Sequence, residues 1–503
     1  MTIRIYSTLT RSKTDFIPVV EGKVGIYVCG PTVYDSAHLG HARSAITFDV
    51  IRRYLLYRGF EVRFVRNLTD VDDKIIQRAQ REGADWRSIA DRYAAEYVHD
   101  MDALGLLRPT VEPRATDHVG EMQDLIATLV QRGAAYAVDG DVFFSVSAFP
   151  QYGRLSGQEV AQVRSGARVE VDERKRAPED FALWKRAKPG EPAWPSPWGD
   201  GRPGWHIECS AMAAKHLGVP FDIHGGGSDL VFPHHENEIA QSEAATGSTF
   251  ARIWMHNGMI RVNQEKMSKS LGNFSTIRDV LELHDPETVR GFLLSQHYRS
   301  PVDFSLAGLE ESRRGLARAY ATLARVDREE WGNRAGSGRK HGDASAEPPV
   351  DWQDVERAFQ AAMDDDFNTA RAIGALFDAV RAINRLADSA RGAALVAASA
   401  SACSGRELVA RLGGEVLGLF RSSPGQWLAH DRDRRAGQMG LQVEWIEAQL
   451  RARAEARAAK RWQDADTIRR DLAASGVTLE DRSGGSTEWG IADPETGAPP
   501  NDG

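Results

Sequence analysis

Between Lys23 and Asn67 the chain passes from strand to helix and back to strand with little room for anything else. KVGIYVC (Lys23–Cys29) has the apolar density of a short buried strand, and Gly30-Pro31 breaks it. From Leu39, the apolar residues Ile46, Val50 and Leu55 recur at helical spacing until Gly59 stops the run. Glu61 to Asn67 (EVRFVRN) then alternates as a strand does. A strand–helix–strand crossover of this kind predicts a parallel sheet with helices on its faces, an α/β fold. Helical stretches follow around Val71–Glu82, Trp86–Leu106 and Asp117–Arg132.

From Tyr136 to about Trp198 the texture changes. Short alternating runs (DVFFSV, ARVEV) lead into the proline-rich AWPSPW, which predicts an insertion that interrupts the sheet. The sheet is expected to resume at Phe221–Ile223 and again at Ile253–Met259. Helix is expected over Ile277–Asp327 and Trp352–Ala387, with a linker by composition at 332–349 between them. Residues 391–404 are rich in alanine and serine and read as a mobile stretch. Trp445–Ala474 reads as one long arginine-rich helix, followed by the strand-like GVTLED and a disordered tail.

With 503 residues the chain is long enough for several domains. Its net charge of −8 means that any polyanion must be bound by local basic patches. Three scattered cysteines, Cys29, Cys209 and Cys403, argue against a disulfide framework and for a reducing compartment. The opening MTIRIYSTLTRSK has no signal-peptide pattern, and no apolar run reaches membrane-spanning length, so a cytoplasmic protein is expected.

Two loops carry phosphate chemistry. His38 and His41 flank Gly40 where the first helix begins, and a helix N-terminus carries unpaired N–H groups and a partial positive charge. The second loop reads QEKMSKSLGN, Gln264 to Asn273. Lys266 and Lys269 could close over a triphosphate and offset charge that builds on a phosphoryl group under attack. Neither a Walker loop nor a dinucleotide fingerprint is found where a strand feeds a helix.

A third constellation suits a metal. His234 and Glu238 are four apart and share one helix face. Together with Cys29 and Cys209 they make a plausible zinc set. Spacing alone does not join the two cysteines, each of which could be a small buried residue, and His235 and Glu236 compete as ligands.

His38-Leu-Gly-His41 and Lys266-Met-Ser-Lys-Ser270 resemble the two signatures of class I aminoacyl-tRNA synthetases, with Leu39 replacing an isoleucine. YVCGPTVYD, RPGWHIECS and HGGGSDLVFPHHENE narrow the resemblance to the cysteinyl-tRNA synthetase family, and it runs through essentially the whole chain. The resemblance implies a Rossmann-type catalytic domain with a connective insertion, then a helical bundle and a small anticodon-binding domain. It implies catalytic roles for His38, His41, Lys266 and Lys269. It places ATP at His38, Gly40, His41, His224, Gly226, Asp229 and Lys269, and cysteine at Cys29, Thr69 and Trp205. It assigns one zinc ion to Cys29, Cys209, His234 and Glu238.

The implied reaction joins L-cysteine to tRNA(Cys) through a cysteinyl adenylate made from Mg-ATP, acylating the 2′-hydroxyl first, in a chain expected to be a monomer. Zinc prefers a thiolate to a neutral hydroxyl; a preference of about five decades is worth roughly 7 kcal/mol and would spare a separate editing domain. The expected boundaries are 1–135 with 199–260 (catalytic), 136–198 (insertion), 261–305 (signature-loop and stem-contact region), 306–425 (bundle), 426–490 (anticodon-binding) and 491–503 (tail).

Two other functions share these motifs. The cysteine ligase of mycothiol synthesis resembles the same core but transfers the cysteinyl group to an amino-sugar. A non-catalytic tRNA-binding paralogue would be expected to have lost signature residues, and none is missing. The C-terminal basic residues Arg451, Arg453, Arg457, Lys460, Arg461, Arg469 and Arg470, with Trp462 among them, favour an RNA ligand.

Overall fold

The structure is a computed structural model that describes residues 2–158, 173–262, 265–266, 275–331, 350–389, 394–481 and 486–492. Its centre is a four-stranded, wholly parallel sheet in the order Ala251–Asn257, Phe221–Gly227, Lys23–Val28, Glu61–Arg66. The helix Leu39–Tyr57 makes the first crossover and ends two residues before Gly59, whose φ of +87° turns the chain into the next strand. After Glu61–Arg66 the chain crosses back over the first strand to reach Phe221–Gly227. The connections therefore diverge between Lys23–Val28 and Phe221–Gly227. That divergence opens a crevice at the carboxyl ends of the two strands, where α/β sheets bind ligands.

The insertion forms an antiparallel sheet: Ala135–Val138, Asp141–Phe144, Phe181–Arg186 and Gly201–Pro203. It is not a separate layer. Phe144, Leu183 and Trp184 share a buried core with Tyr27, Ile207, Phe221 and Trp254 of the parallel sheet and its helices. The run ARVEV lies outside the described residues, as does most of the second signature loop. Of that loop, Glu265–Lys266 forms a short strand paired with Ile260–Val262; the side chain of Lys266 and all of Lys269 lie outside.

The chain divides into two compact units, residues 1–313 with 331–421 and residues 314–330 with 422–503. The helices Trp352–Asp364 and Thr369–Ser389 fall in the first of these units. The stretch 391–404, expected to be mobile, enters a helix, Leu395–Arg411, because Ala402, Leu408 and Val409 recur on one buried face. The linker at 332–349 and the tail from 493 lie outside the described residues.

In the second unit the single helix expected over Trp445–Ala474 is two, Val443–Ala458 and Trp462–Ala474, with Lys460 at φ +61° in the turn. Folding back lets Ile446 and Leu472 share a small core with Val477, Trp489 and Ile491 of the terminal hairpin. A straight helix of that length would have left these side chains in water. Among the described residues no helix is long and apolar enough to cross a membrane.

Candidate active site

A cleft of about 540 Å³ lies at the carboxyl ends of the parallel strands. Its walls include Cys29, His38, Gly40, His41, Trp205, Gly227 and Asp229, with Asn257 to Ile260 beyond the last strand. The fold thus brings together residues the sequence singled out from three separate segments.

His38 caps the helix Leu39–Tyr57. Its Nδ1 accepts the Gly40 N–H at 3.0 Å, and the Nδ1 of His41 accepts the His38 N–H at 3.2 Å. The two rings stack at 4.0 Å. Because each Nδ1 acts as an acceptor, each neutral imidazole carries its proton on Nε2, which is then a donor suited to a phosphate oxygen. The role of Gly40 is more local than the sequence suggests. A Cβ there would lie 2.8 Å from Cε1 of His38, so glycine is needed to seat that ring.

Beneath the cleft four donor atoms converge. Cys29 Sγ lies 3.5 Å from Cys209 Sγ and 3.3 Å from Glu238 Oε1, which lies 3.1 Å from His234 Nε2. They come from the end of the first strand, the helix Trp205–Leu217, the kinked turn Val231–His235 and the helix Glu236–Thr246. All four ligand atoms lie within 4.8 Å of one another. A second set, Cys29, His224, His235 and Glu238, meets the same distance. The first gathers both thiols, the donors that suit zinc best. It also has a supporting partner for its imidazole: His234 Nδ1 lies 2.9 Å from His206 Nδ1, leaving Nε2 to face the cluster. In the second set His235 Nδ1 is held in the same way by His256 Nε2 at 2.8 Å, so the thiol count, not support of the imidazole, separates the two sets. Glu236, the other competitor in sequence, turns away and accepts from the Ser156 backbone and hydroxyl.

Burial pushes the thiols of Cys29 and Cys209 up and keeps His234 neutral, the form of an imidazole that binds metal. A divalent cation inverts this order for the thiols, since coordination deprotonates them. The donor set therefore fits zinc. Cys29 alone of the four lies on the cleft wall; Cys209, His234 and Glu238 are buried below it. Trp205 stacks on His234 at 4.2 Å and also faces the cleft.

Three residues expected to touch ligand, His224, Thr69 and Gly226, are buried and absent from the cleft wall. His224 is fully buried; its Nε2 lies 2.8 Å from Glu238 Oε2 and its ring stacks on Trp254 at 4.3 Å. It is placed to orient Glu238. Thr69 is buried as well, and its hydroxyl donates to Glu208 Oε2 at 2.8 Å while accepting from Asn67 Nδ2 at 3.3 Å. It braces the floor of the site instead of lining the cleft. Gly226 is buried too, where a Cβ would meet the ring of His235 at 2.8 Å.

Sequence reasoning missed the supporting residues. Asn67 Oδ1 accepts the Gly30 N–H at 2.9 Å beside Cys209 Sγ at 3.8 Å. Its position at the close of an alternating strand was the available signal. His206 sits within GWHIECS, next to a residue already singled out, but nothing in the spacing ties it to His234.

In the C-terminal unit Arg453 is not available to RNA. It is buried, and its guanidinium donates to both carboxylate oxygens of Asp481 at 2.9 Å. Arg457 reaches Asp481 as well, and Arg461 pairs with Asp464. Trp445 and Trp462 stay exposed.

Comparison with known proteins agrees with this geometry. Residues 15–314 match the model of the class I (C) tRNA synthetase catalytic domain, residues 358–421 a DALR domain, and residues 444–489 the cysteinyl-tRNA ligase anticodon-binding domain. The cysteine–tRNA ligase of Pelobacter propionicus is 54% identical over 98% of this chain and 100% of its own length. That of Geobacter sulfurreducens is 52% identical over the same shares. Among solved structures, Mycobacterium tuberculosis methionyl-tRNA synthetase with methionyl-adenylate superposes with a TM-score of 0.59 at 17% identity, covering 84% of this chain and 94% of that one, a likeness of fold alone. With its catalytic, DALR and anticodon-binding models all matched and such relatives aligned end to end, the chain belongs to the cysteine–tRNA ligase family of class I aminoacyl-tRNA synthetases.

Proposed function

We infer that the protein is a ligase that joins L-cysteine to tRNA(Cys) at the expense of ATP. The observation that carries this reading is the position of Cys29: its sulfur lies on the cleft wall and within 3.5 Å of the buried thiol and carboxylate below. A zinc ion held by Cys29, Cys209, His234 and Glu238 would supply a soft Lewis acid that favours a substrate thiolate over the hydroxyl of serine. Trp205 walls the amino-acid pocket.

The adenosine lies toward Gly227, Asp229 and the segment Asn257–Ile260, where strand ends let the backbone approach it. His38 and His41 donate through Nε2 to the phosphates, and Lys266 and Lys269 close over them. In the first step a carboxylate oxygen of cysteine attacks the α-phosphorus and the bond to the β-phosphate oxygen breaks, releasing pyrophosphate. In the second, a terminal ribose hydroxyl attacks the cysteinyl carbonyl, AMP leaves, and the hydroxyl proton passes to the departing phosphate or to water. The chain supplies positioning and charge stabilisation for both steps and needs no protein general base. The anticodon-binding match at 444–489 supports tRNA, not an amino-sugar, as the acceptor. A chain that acts on tRNA works where translation occurs, the cytoplasm, and we take the monomer as its working form.

Cysteine-dependent ATP–pyrophosphate exchange, run with cysteine and serine on metal-replete and metal-stripped enzyme beside charging of tRNA(Cys), tests this. Exchange with cysteine and charging of the tRNA are expected. Unchanged selectivity in zinc-free enzyme would overturn the role of the metal; exchange without charging would overturn the acceptor.

A further inference from the structure

The cleft has a second end. Its nucleotide side is formed beyond Phe221–Gly227 and Ala251–Asn257. At the opposite side, next to the edge strand Glu61–Arg66, the walls are Tyr34, Arg66, Lys74 and Tyr97. Lys74 opens the helix Asp73–Glu82 and is exposed. Its Nζ lies 5.3 Å from the centroid of the Tyr34 ring, a cation–π contact that limits where the ammonium can swing.

Among the described residues no carboxylate pairs with that ammonium. The carboxylates adjoining Lys74 and Tyr34 in the chain are engaged elsewhere. Asp73 is held by Lys185 Nζ at 2.7 Å and by Arg202, both from strands of the inserted sheet. Asp35 reaches Arg78 at 3.5 Å, and Asp72 caps the helix through the Lys74 N–H. Arg66, deeper in the same wall, lies over the Tyr97 ring and 3.9 Å from Glu112. The insertion therefore fixes Asp73, Asp73 fixes the first helical turn, and that turn presents a cation to the cleft on the side away from the nucleotide.

We propose that Lys74, propped on Tyr34 and set in place by the Asp73 clamp to Lys185 and Arg202, contacts a phosphate of the 3′ strand of the tRNA as it enters the cleft. The inference rests on the assignment above of which end takes ATP. A ligand arriving at the other end must deliver a ribose hydroxyl and carries a phosphodiester backbone, for which a restrained and available ammonium is a suitable partner. Lys74 is thus a positioning residue for the second step more than for the first.

The test compares two readouts of full-length K74A and K74R with the wild type. The readouts are kcat/KM for tRNA in charging and kcat/KM for ATP in cysteine-dependent pyrophosphate exchange. K74A is expected to lower charging about tenfold more than exchange, the loss of one charge-assisted contact, and K74R to recover most of it. The slope of log kcat/KM for tRNA against log salt should become shallower by about one in K74A. An equal fall in both reactions would assign Lys74 to adenylate formation and overturn the proposal. No fall in either, or an unchanged salt slope, would overturn it as well. A wild-type enzyme without cysteine-dependent exchange would instead defeat the functional reading beneath it.

Discussion

The donor cluster beneath Cys29 and the pair formed by Arg453 with Asp481 both bury a charged or ionisable group, and they do so in contrasting ways. The first draws its atoms from positions 29, 209, 234 and 238. Three of them are almost wholly buried, and His206, His224 and Asn67 form a further layer of polar contacts. The second joins a helix to a hairpin close by in sequence. Its carboxylate stays about a third exposed (35%), while its guanidinium is buried. A site buried except where Cys29 meets the cleft can impose a chemical preference, because little water reaches the ligand positions. A half-open ion pair cannot; it contributes stability, and solvent limits how much.

The contrast should appear first in the cluster. Cys209→Ser is expected to lose bound zinc and to lower cysteine-dependent exchange by about a thousandfold, since a coordinating thiolate is removed from a buried set. Metal analysis beside the exchange assay checks this; full activity without zinc would place Cys209 among ordinary core residues. Gly40→Ala should come next. The added Cβ displaces the His38 ring, and exchange is expected to fall about a hundredfold through the misplaced Nε2 donor with zinc retained. Loss of zinc in that variant would mean that the signature loop and the metal cluster are not separable.

His206→Ala reaches the cluster one layer out. It frees His234 Nδ1, and zinc affinity measured by chelator competition should weaken by about tenfold or a little more. An unchanged affinity would favour the alternative set through His235. The smallest effect is expected in the C-terminal unit. Arg453, Thr487 and Arg457 hold the Asp481 carboxyl well below its ordinary range. A depressed folded-state pKa contributes stability that is present above the unfolded value of about 4 and is lost as pH falls through the folded one. Asp481→Asn should cost about 1 kcal/mol at neutral pH after allowance for solvent screening, and should flatten the acid side of the stability curve. Denaturant melts of the two proteins at pH 3 and pH 7 would show it; equal pH dependence would mean that the pair contributes nothing.

These differences also mark where sequence reasoning stops. The strand at Lys23–Val28, the helix from Leu39 and the strand at Glu61–Arg66 were all legible, because apolar period and a Gly-Pro break act locally. The signature loops and the four donor residues at 29, 209, 234 and 238 were singled out through motif and resemblance. What was not legible was how each polar group is committed. His224, Thr69 and Arg453 look free in sequence, and each is taken by a carboxylate from a different element: Glu238, Glu208 and Asp481. The break of the arginine-rich helix near Lys460 was hidden for a related reason, since only the hairpin core makes folding back favourable.

Local pattern in the sequence was therefore enough for the parallel sheet, its crossover helix, the two signature motifs and a set of four soft and borderline donors. Tertiary structure alone decided which of those donors meet, that Cys29 is the one facing the cleft, and which histidines stand behind the others. The physical reason is range. Backbone propensity and hydrophobic period are read over a few neighbouring residues, whereas a buried hydrogen bond or ligand contact exists only once strands and helices nearly two hundred residues apart have packed together.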